Sequence, residues 1–358
     1  MWTRRRFLTG LGLATVAVGC KRAPRSSTEE IAVGSSATVS DAAGSNLAGS
    51  NAVGSAQPPG PTPGAGDLIQ PGFFRVGRSP LAFDGEELVE LGKDALIRRT
   101  ASLAEISRTA FSKPRSFAVL RDHSVLVLTD EKTATRRVHH VVAGKVATTH
   151  DSLADLVFPT ASPTAYWAVG SSTVKRTEIG TSEDHADVFL PENTYPDTAA
   201  VASDGSLVMS NLYGILRIDR ALVTYKWANN PNHLGPGPDA DTVWAGLGPI
   251  RKEPSKVALL KLAGDRATEI AAHALAPGEE LVHATGSGPF AAAIVARSLG
   301  AHRAAFTLIV YDAKGERWRA SLGEVSGPYF AVLSPTRVVV LAPTNTLRAW
   351  DVATGKAT

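Results

Sequence analysis

One cysteine, nine histidines and 34 carboxylates are the residues of this 358-residue chain best suited to chemistry, and their spacing argues against most of it. Cys20 stands alone, so no internal disulfide can form, and the closely spaced His or Cys ligands of a zinc site are missing. His139 and His140 are adjacent; in a strand they point to opposite faces and cannot share one metal. There is no Gly-x-Ser-x-Gly elbow and no Gly-x-x-x-x-Gly-Lys phosphate loop. The densest acidic stretch, Glu183-Asp184-His185-Ala186-Asp187 continuing to Glu192 and Asp197, offers oxygen ligands of the kind calcium favours, but it lacks the Asp-x-Asp-x-Asn-Gly spacing. It reads as a solvated loop, as does Asp239-Ala240-Asp241 behind Pro231 to Pro238. No catalytic residue, metal or cofactor is expected.

The first twenty residues state an address. Three arginines, Arg4 to Arg6, precede an apolar run from Leu8 to Gly19 that is rich in Gly, Ala and Thr. It is too short to cross a bilayer, which needs about 20 apolar residues, so residues 1–19 read as an export signal. The order Thr3-Arg4-Arg5-Arg6-Phe7-Leu8 resembles the twin-arginine signature, carried by Arg4, Arg5, Phe7 and Leu8; an ordinary Sec signal has the same outline. Ala17-Val18-Gly19-Cys20 resembles a lipobox, and that resemblance implies that the Cys20 thiol takes a diacylglycerol. Acylation would also leave an exported chain with no free thiol.

Charge is read after processing. Six basic residues (Arg4, Arg5, Arg6, Lys21, Arg22, Arg25) precede the first acid, Glu29, and removing them from 37 leaves 31 against 34 acids, a net charge of −3. No basic stripe interleaved with aromatics runs through the rest, which argues against a nucleic-acid partner. Lys21 to Gly66 has no aromatic residue and is dominated by Ser, Ala, Gly, Thr and Pro, so it cannot bury enough apolar surface to order itself. Residues 20–66 therefore read as a flexible, disordered linker with an r.m.s. reach of roughly 35 to 40 Å. Together with Cys20 it forms a lipid-anchored tether to a membrane.

From Asp67 the pattern changes to short apolar runs broken by Gly, Pro, Asp and Asn, which argues for an all-β domain over 67–358. Runs at Val125 to Leu128, Tyr166 to Val169, Leu207 to Met209, Val243 to Ala245, Ala291 to Val295 and Val338 to Leu341 lie roughly 35 to 50 residues apart. That is the period of four-stranded propeller blades, and the domain length gives about seven of them. Asp204-Gly205 ahead of Leu207 is a hairpin turn, with Gly supplying the positive backbone angle. Ala349-Trp350-Asp351-Val352-Ala353-Thr354-Gly355 resembles the Ala-x-Asp-x-x-Thr-Gly segment of quinoprotein-like propeller repeats, in which a Trp follows the Asp by eight residues. Asp219 with Trp227, and Asp312 with Gly315 and Trp318, are partial versions of it. Trp167, Trp227, Trp244, Trp318 and Trp350 are expected to pack between blades.

The chain stops at Thr358, one residue short of that Trp position, so the last blade is expected to borrow its outer strand from Phe73-Phe74-Arg75-Val76. Ligands are expected at the turns joining second and third strands, which gather on one face of a propeller: Asp130 and Glu131, Ser171 and Ser172, Asn211 and Tyr213, Arg251 and Lys252, His302 and Arg303, and Asn345. The expected function is a membrane-tethered lipoprotein of the cell envelope, facing the periplasm or the cell exterior, whose propeller binds or scaffolds envelope proteins. The repeat resemblance implies an alternative, a quinoprotein-like periplasmic dehydrogenase. The anchor-plus-propeller layout is similar to the propeller lipoprotein of outer-membrane barrel assembly machinery, which implies an envelope assembly factor.

Overall fold

The computed structural model describes residues 79–358 except 132–135, 182–183, 213, 220, 228, 230, 249–253, 301–302 and 326. The export signal, Cys20, the linker and Phe73 to Val76 lie outside the described residues. Every described element is a β-strand, 27 in all, and they divide into seven consecutive antiparallel blades: residues 81–110, 114–152, 156–189, 194–226, 233–274, 279–323 and 330–351. Six blades have four strands and the seventh has three. One bridge, Lys226 to Arg266, joins the outer strands of blades 4 and 5.

The first strand of each blade lies innermost, and its neighbours follow outward in sequence order. Because successive side chains alternate between sheet faces, each strand can grip two neighbours at once. Arg337–Leu341 shows this: Val338 and Val340 pack with Ile294 and Leu308 of blade 6, while Val339 and Leu341 pack with Leu81 and Leu88 of blade 1. The last blade thus closes the ring on the first through an apolar seam. At about 1.5 to 3 kcal/mol per fully buried aliphatic side chain, such seams supply most of the driving force.

All six apolar runs singled out in the sequence are second strands, those of blades 2 to 7. The second strand of blade 1, Glu87–Leu91, escaped notice because Glu90 interrupts it. That carboxylate is fully buried and meets Arg99 Nε at 2.9 Å, itself nearly fully buried. The expected hairpin at Asp204-Gly205 is the turn between the first two strands of blade 4, with φ of 85° at Gly205. A Cβ there would meet the Ala161 nitrogen at 2.2 Å, so the turn admits only glycine at this close approach of blade 3. One expected loop is instead a strand: Asp184–Phe189 is the outer strand of blade 3, paired with the third strand from Thr173 to Thr177. An outer strand is half solvated, so acidic composition does not exclude pairing.

The outer edge of the seventh blade carries residues from the end of the described chain. The chain turns back after Asp351 and lays Lys356 to Thr358 along the third strand, with Asp351 N–H donating to Lys356 O at 2.9 Å and Thr358 N–H to Ala349 O at 3.0 Å. This contact is a single bridge, Trp350 to Ala357, on the outer edge of a three-stranded blade, and the expected pairing of Phe73 to Val76 lies outside the described residues.

Candidate functional site

The ring has two rims. First strands start at the proximal rim, so the turns between second and third strands and the connections between blades lie there, whereas the other hairpin turns lie at the distal rim. The chain enters the ring proximally at Ser79. The described binding candidates chosen from sequence fall in turns of the proximal rim or beside them, where several of their side chains make contacts within the fold.

Asp130, at the end of the second strand of blade 2, belongs to a closed charge quartet. Arg115 Nη1 and Arg136 Nε reach it at 3.2 Å each, and the same two guanidiniums reach Asp155 at 3.3 and 2.8 Å. The quartet staples blade 2 to the connection leading into blade 3. Glu131 faces Arg137 at 3.9 Å. Asn211 is buried, and its Nδ2 donates to Glu192 O and Thr194 Oγ1, both at 3.1 Å, tying the edge of blade 4 to the connection that precedes it. Asn345 has φ of 59° and donates its N–H to Ala342 O, so it is chosen for a tight turn. Arg303 is exposed and ion-paired with Glu324. Ser171 and Ser172 lie in the corresponding turn of blade 3. Tyr213, Arg251, Lys252 and His302 lie outside the described residues. His139 packs on Phe111 and His140 bonds Ser124, so the pair is divided as expected.

The tryptophans fasten blades. Trp167 Nε1 donates to Gly205 O at 3.0 Å and Trp244 Nε1 to Gly288 O at 3.0 Å, each reaching a turn of the next blade. Trp318 Nε1 donates to Val352 O at 2.8 Å, and its ring lies over Gly355, where an added Cβ would sit 2.9 Å from it. Gly355 closes the Asp-x-x-Thr-Gly turn, in which Asp351 Oδ1 accepts both the N–H and the hydroxyl of Thr354 at 2.7 Å. The segment noted in sequence is therefore a docking surface for the preceding blade.

Three features escaped the sequence reading. A central cavity of about 300 Å³ is lined largely by first strands, including Leu81, Phe117, Val157, Ala200 and Leu234. Close to the axis, His233 of blade 5 and His283 of blade 6 meet with ring centroids 5.2 Å apart, and His283 Nε2 reaches Ala331 O of blade 7 at 3.1 Å. Burial, reinforced by the neighbouring imidazole, pushes His233 down to about 3, and burial pushes His283 down to about 4, so both are neutral at ordinary pH. Finally, a groove of about 180 Å³ lies between blades 2 and 3. At the end nearest the proximal rim it is lined by Leu153, 77% exposed, while Phe189, 76% exposed, is the cross-strand partner of the groove residue Thr173. Tyr195, Leu212, Leu299 and Val325 are further exposed apolar side chains of this same rim. Lone surface apolar residues carry no sequence signature; only the topology shows that these share a rim.

Among the described residues, no group of three or more His, Cys, Asp or Glu side chains is placed to hold a metal ion. No family model matches the chain, and no curated protein matches it. Solved structures do resemble it: Hsv2 from Kluyveromyces lactis, at 14% identity over 76% of this chain and 93% of that one, has a TM-score of 0.56. A chain in the crystal structure of a mitotic checkpoint complex, at 12% identity over 84% of this chain and 96% of that one, has a TM-score of 0.58. With these likenesses the ring is a seven-bladed β-propeller. At such low identity they establish the fold and nothing more.

Proposed function

We propose that this chain is a cell-envelope lipoprotein, exported by way of the Arg4-Arg5 signal and acylated at Cys20, whose propeller binds a partner protein across its proximal rim. The observation that carries the binding role is the collection of exposed apolar side chains on that rim, led by Leu153 and Phe189. Exposed apolar groups gathered on one surface gain free energy when a partner covers them. The distal rim exposes Ile106, Val142, Val146 and Val223 as well, but each is less than half exposed, against more than three quarters for Leu153 and Phe189; around the central opening it carries a polar lattice, with Arg98 bonded to Asp84 at 2.6 Å and Glu87 at 2.9 Å, and His123 bonded to Asp84. The anchor rests on the small residues before the single cysteine and on the linker composition between Cys20 and the ring.

Photo-crosslinkers placed at Leu153, Phe189 and Leu299 in intact cells test the binding role against controls at Val142 and Val223 near the distal rim. Protein adducts confined to the first set support it, and equal yields from both sets sink it. Labelled fatty acid should be incorporated by the native chain and lost in Cys20→Ala; unchanged labelling removes the anchor from the proposal. Replacing Arg4 and Arg5 with lysine preserves charge, so continued export favours the Sec route over a receptor that reads guanidinium pairs. The dehydrogenase alternative requires a bound cofactor, and an absorbance scan of the purified protein separates it from a binding module.

A further inference from the structure

We propose that the distal mouth of the central opening, together with the cavity beneath it, binds a small carboxylate with an apolar tail, such as a medium-chain fatty acid. The inference goes beyond partner binding at the proximal rim, since it concerns the opposite rim and the axis. A cavity of about 320 Å³ lies at that mouth, walled by Phe83, Val119, Leu120, Pro159 and Val201. The central cavity of about 300 Å³ is built from the same first strands of blades 1 to 4, one step nearer the proximal rim, at Ala82, Phe117, Phe158 and Ala200. Val201 lines both, so the two are stacked along the axis. Blades 1 to 4 thus form one largely apolar wall running inward from the mouth.

The polar lining separates along the same axis. The charged side chains lining the mouth are Asp84, Arg121 and His123. Both carboxylate oxygens of Asp84 are taken, Oδ2 by Arg98 Nη1 at 2.6 Å and Oδ1 by His123 Nδ1. Thr160, the remaining polar side chain there, donates to Ala165 O at 2.8 Å. What is left for a ligand is donor chemistry: the Arg121 guanidinium, which spends only Nη2 on Ser203 O at 3.1 Å, and the outer edge of the His123 ring. His123 is held at φ of 67°, its ring by Asp84 and its backbone oxygen by Arg98 Nη2. The hydrogen bond to Asp84 raises its pKa and favours the imidazolium, so the mouth lining offers two cations and no uncommitted carboxylate. Such a lining attracts an anionic oxygen and repels an ammonium group. Deeper in, the polar lining residues are Ser79, Arg115, Ser116 and Thr285. Ser79 Oγ accepts Leu81 N–H at 3.1 Å, Ser116 Oγ accepts Val157 N–H at 3.3 Å, and Arg115 is held by Asp130 and Asp155. The inner edges of the first strands also turn backbone groups to the opening, so water shares this space and a tail gains less than in a dry pocket. The volume is about twice the roughly 150 Å³ of an engineered cavity that admits benzene, room enough for a short alkyl chain. A cationic mouth above an apolar wall fits a ligand bound head outward and tail inward.

The test titrates the full chain, carrying Cys20→Ala so that it stays free of detergent, with octanoate, octanol and octylamine by calorimetry. The three share one alkyl body, so their differences report the head group. Octanoate should bind saturably and about tenfold more tightly than octanol, with octylamine weaker still. Acetate, a head without a tail, should not bind. Arg121→Gln and His123→Gln should each weaken octanoate about fivefold and leave octanol unchanged, a split that a disturbed fold would not produce. Ala200→Phe fills the wall below the mouth and should abolish binding of octanoate and octanol alike. Octanoate that never saturates, octanol that binds as tightly as octanoate, or a double variant of Arg121 and His123 that binds octanoate as before would each overturn the site. Native-like affinity in a folded Ala200→Phe chain would overturn the placement of the tail, and the two charge variants decide the head whether or not that chain folds.

Discussion

Blades 5 to 7 and blades 2 to 3 solve the same packing problem differently. In the first region, rings fill every wedge: Trp244, His273 with Tyr311, Trp318, and Phe306 with Tyr329 at 4.6 Å. Two imidazoles are sealed near the axis there, and burial disfavours a proton on either. Between blades 2 and 3 the inner part of the seam is apolar, with Leu126, Leu128, Val138 and Val157, and the outer part holds the tilted His150–Tyr166 pair at 5.9 Å beside a groove of mixed lining that includes Asp151, Thr173, Lys175 and Thr177. The contrast teaches that a propeller needs dry packing near its axis but tolerates a polar, partly open outer wedge without breaking the ring.

The sharpest way to stress this contrast is acid. The unfolded chain binds protons at its histidines near pH 6.5, whereas His233 and His283 in the fold accept them only at about 3 and about 4. Their contribution is intact above pH 6.5 and is lost as the pH falls below it, by roughly 2 kcal/mol each at pH 5. Urea titrations at pH 7.5 and 5 should therefore differ by about 4 kcal/mol, and His283→Phe should roughly halve the difference. An unchanged midpoint would show that the axial seam is not dry. His150, only half-buried, should add little to this pH dependence.

Next in size is the loss of a wedge. Trp318→Ala should destabilise the ring by about 3 kcal/mol, and hydrogen exchange should then rise first in blade 7, whose outer turn it caps. A smaller loss is expected at the charge quartet. Asp130→Asn leaves Arg115 and Arg136 with Asp155 alone and should reduce stability by about 1 kcal/mol in low salt, less in high salt, because all four side chains are partly exposed. Smallest is Thr173→Val in the groove, expected to lie within about 0.5 kcal/mol of the native chain by thermal melting. A loss there rivalling that of Trp318→Ala would erase the distinction between dry and wet seams.

The fold was legible because a second strand is buried on both faces and must read as a continuous apolar run, as Val338 to Leu341 does. Blade 1 was obscured by Glu90, since pattern alone cannot reveal that Arg99 waits diagonally across from it in the next strand. The outer strand of blade 3 was obscured by its acids, which are compatible with a solvated edge. At the candidate site, the structure shows what the described side chains do within the fold. The turns of Asp130, Asn211 and Asn345 lie on the expected rim, yet the first side chain balances two arginines, the second fastens the backbone and the third shapes a turn.

By itself, the sequence determined a stretch without aromatic residues before the ring, an all-β domain and its count of about seven repeats. Each is a local or periodic property, decided by composition and by spacing along the chain. Only the tertiary structure decided that blade 7 meets blade 1 through an apolar seam and that Lys356 to Thr358 extend its outer edge. The same holds for His233 facing His283 from 50 residues away and for Leu153 and Phe189 sharing one rim with Leu299. Closure, buried charge and surface patches depend on which faces meet in space, and residues far apart in the chain carry no mark of the partners that burial assigns them.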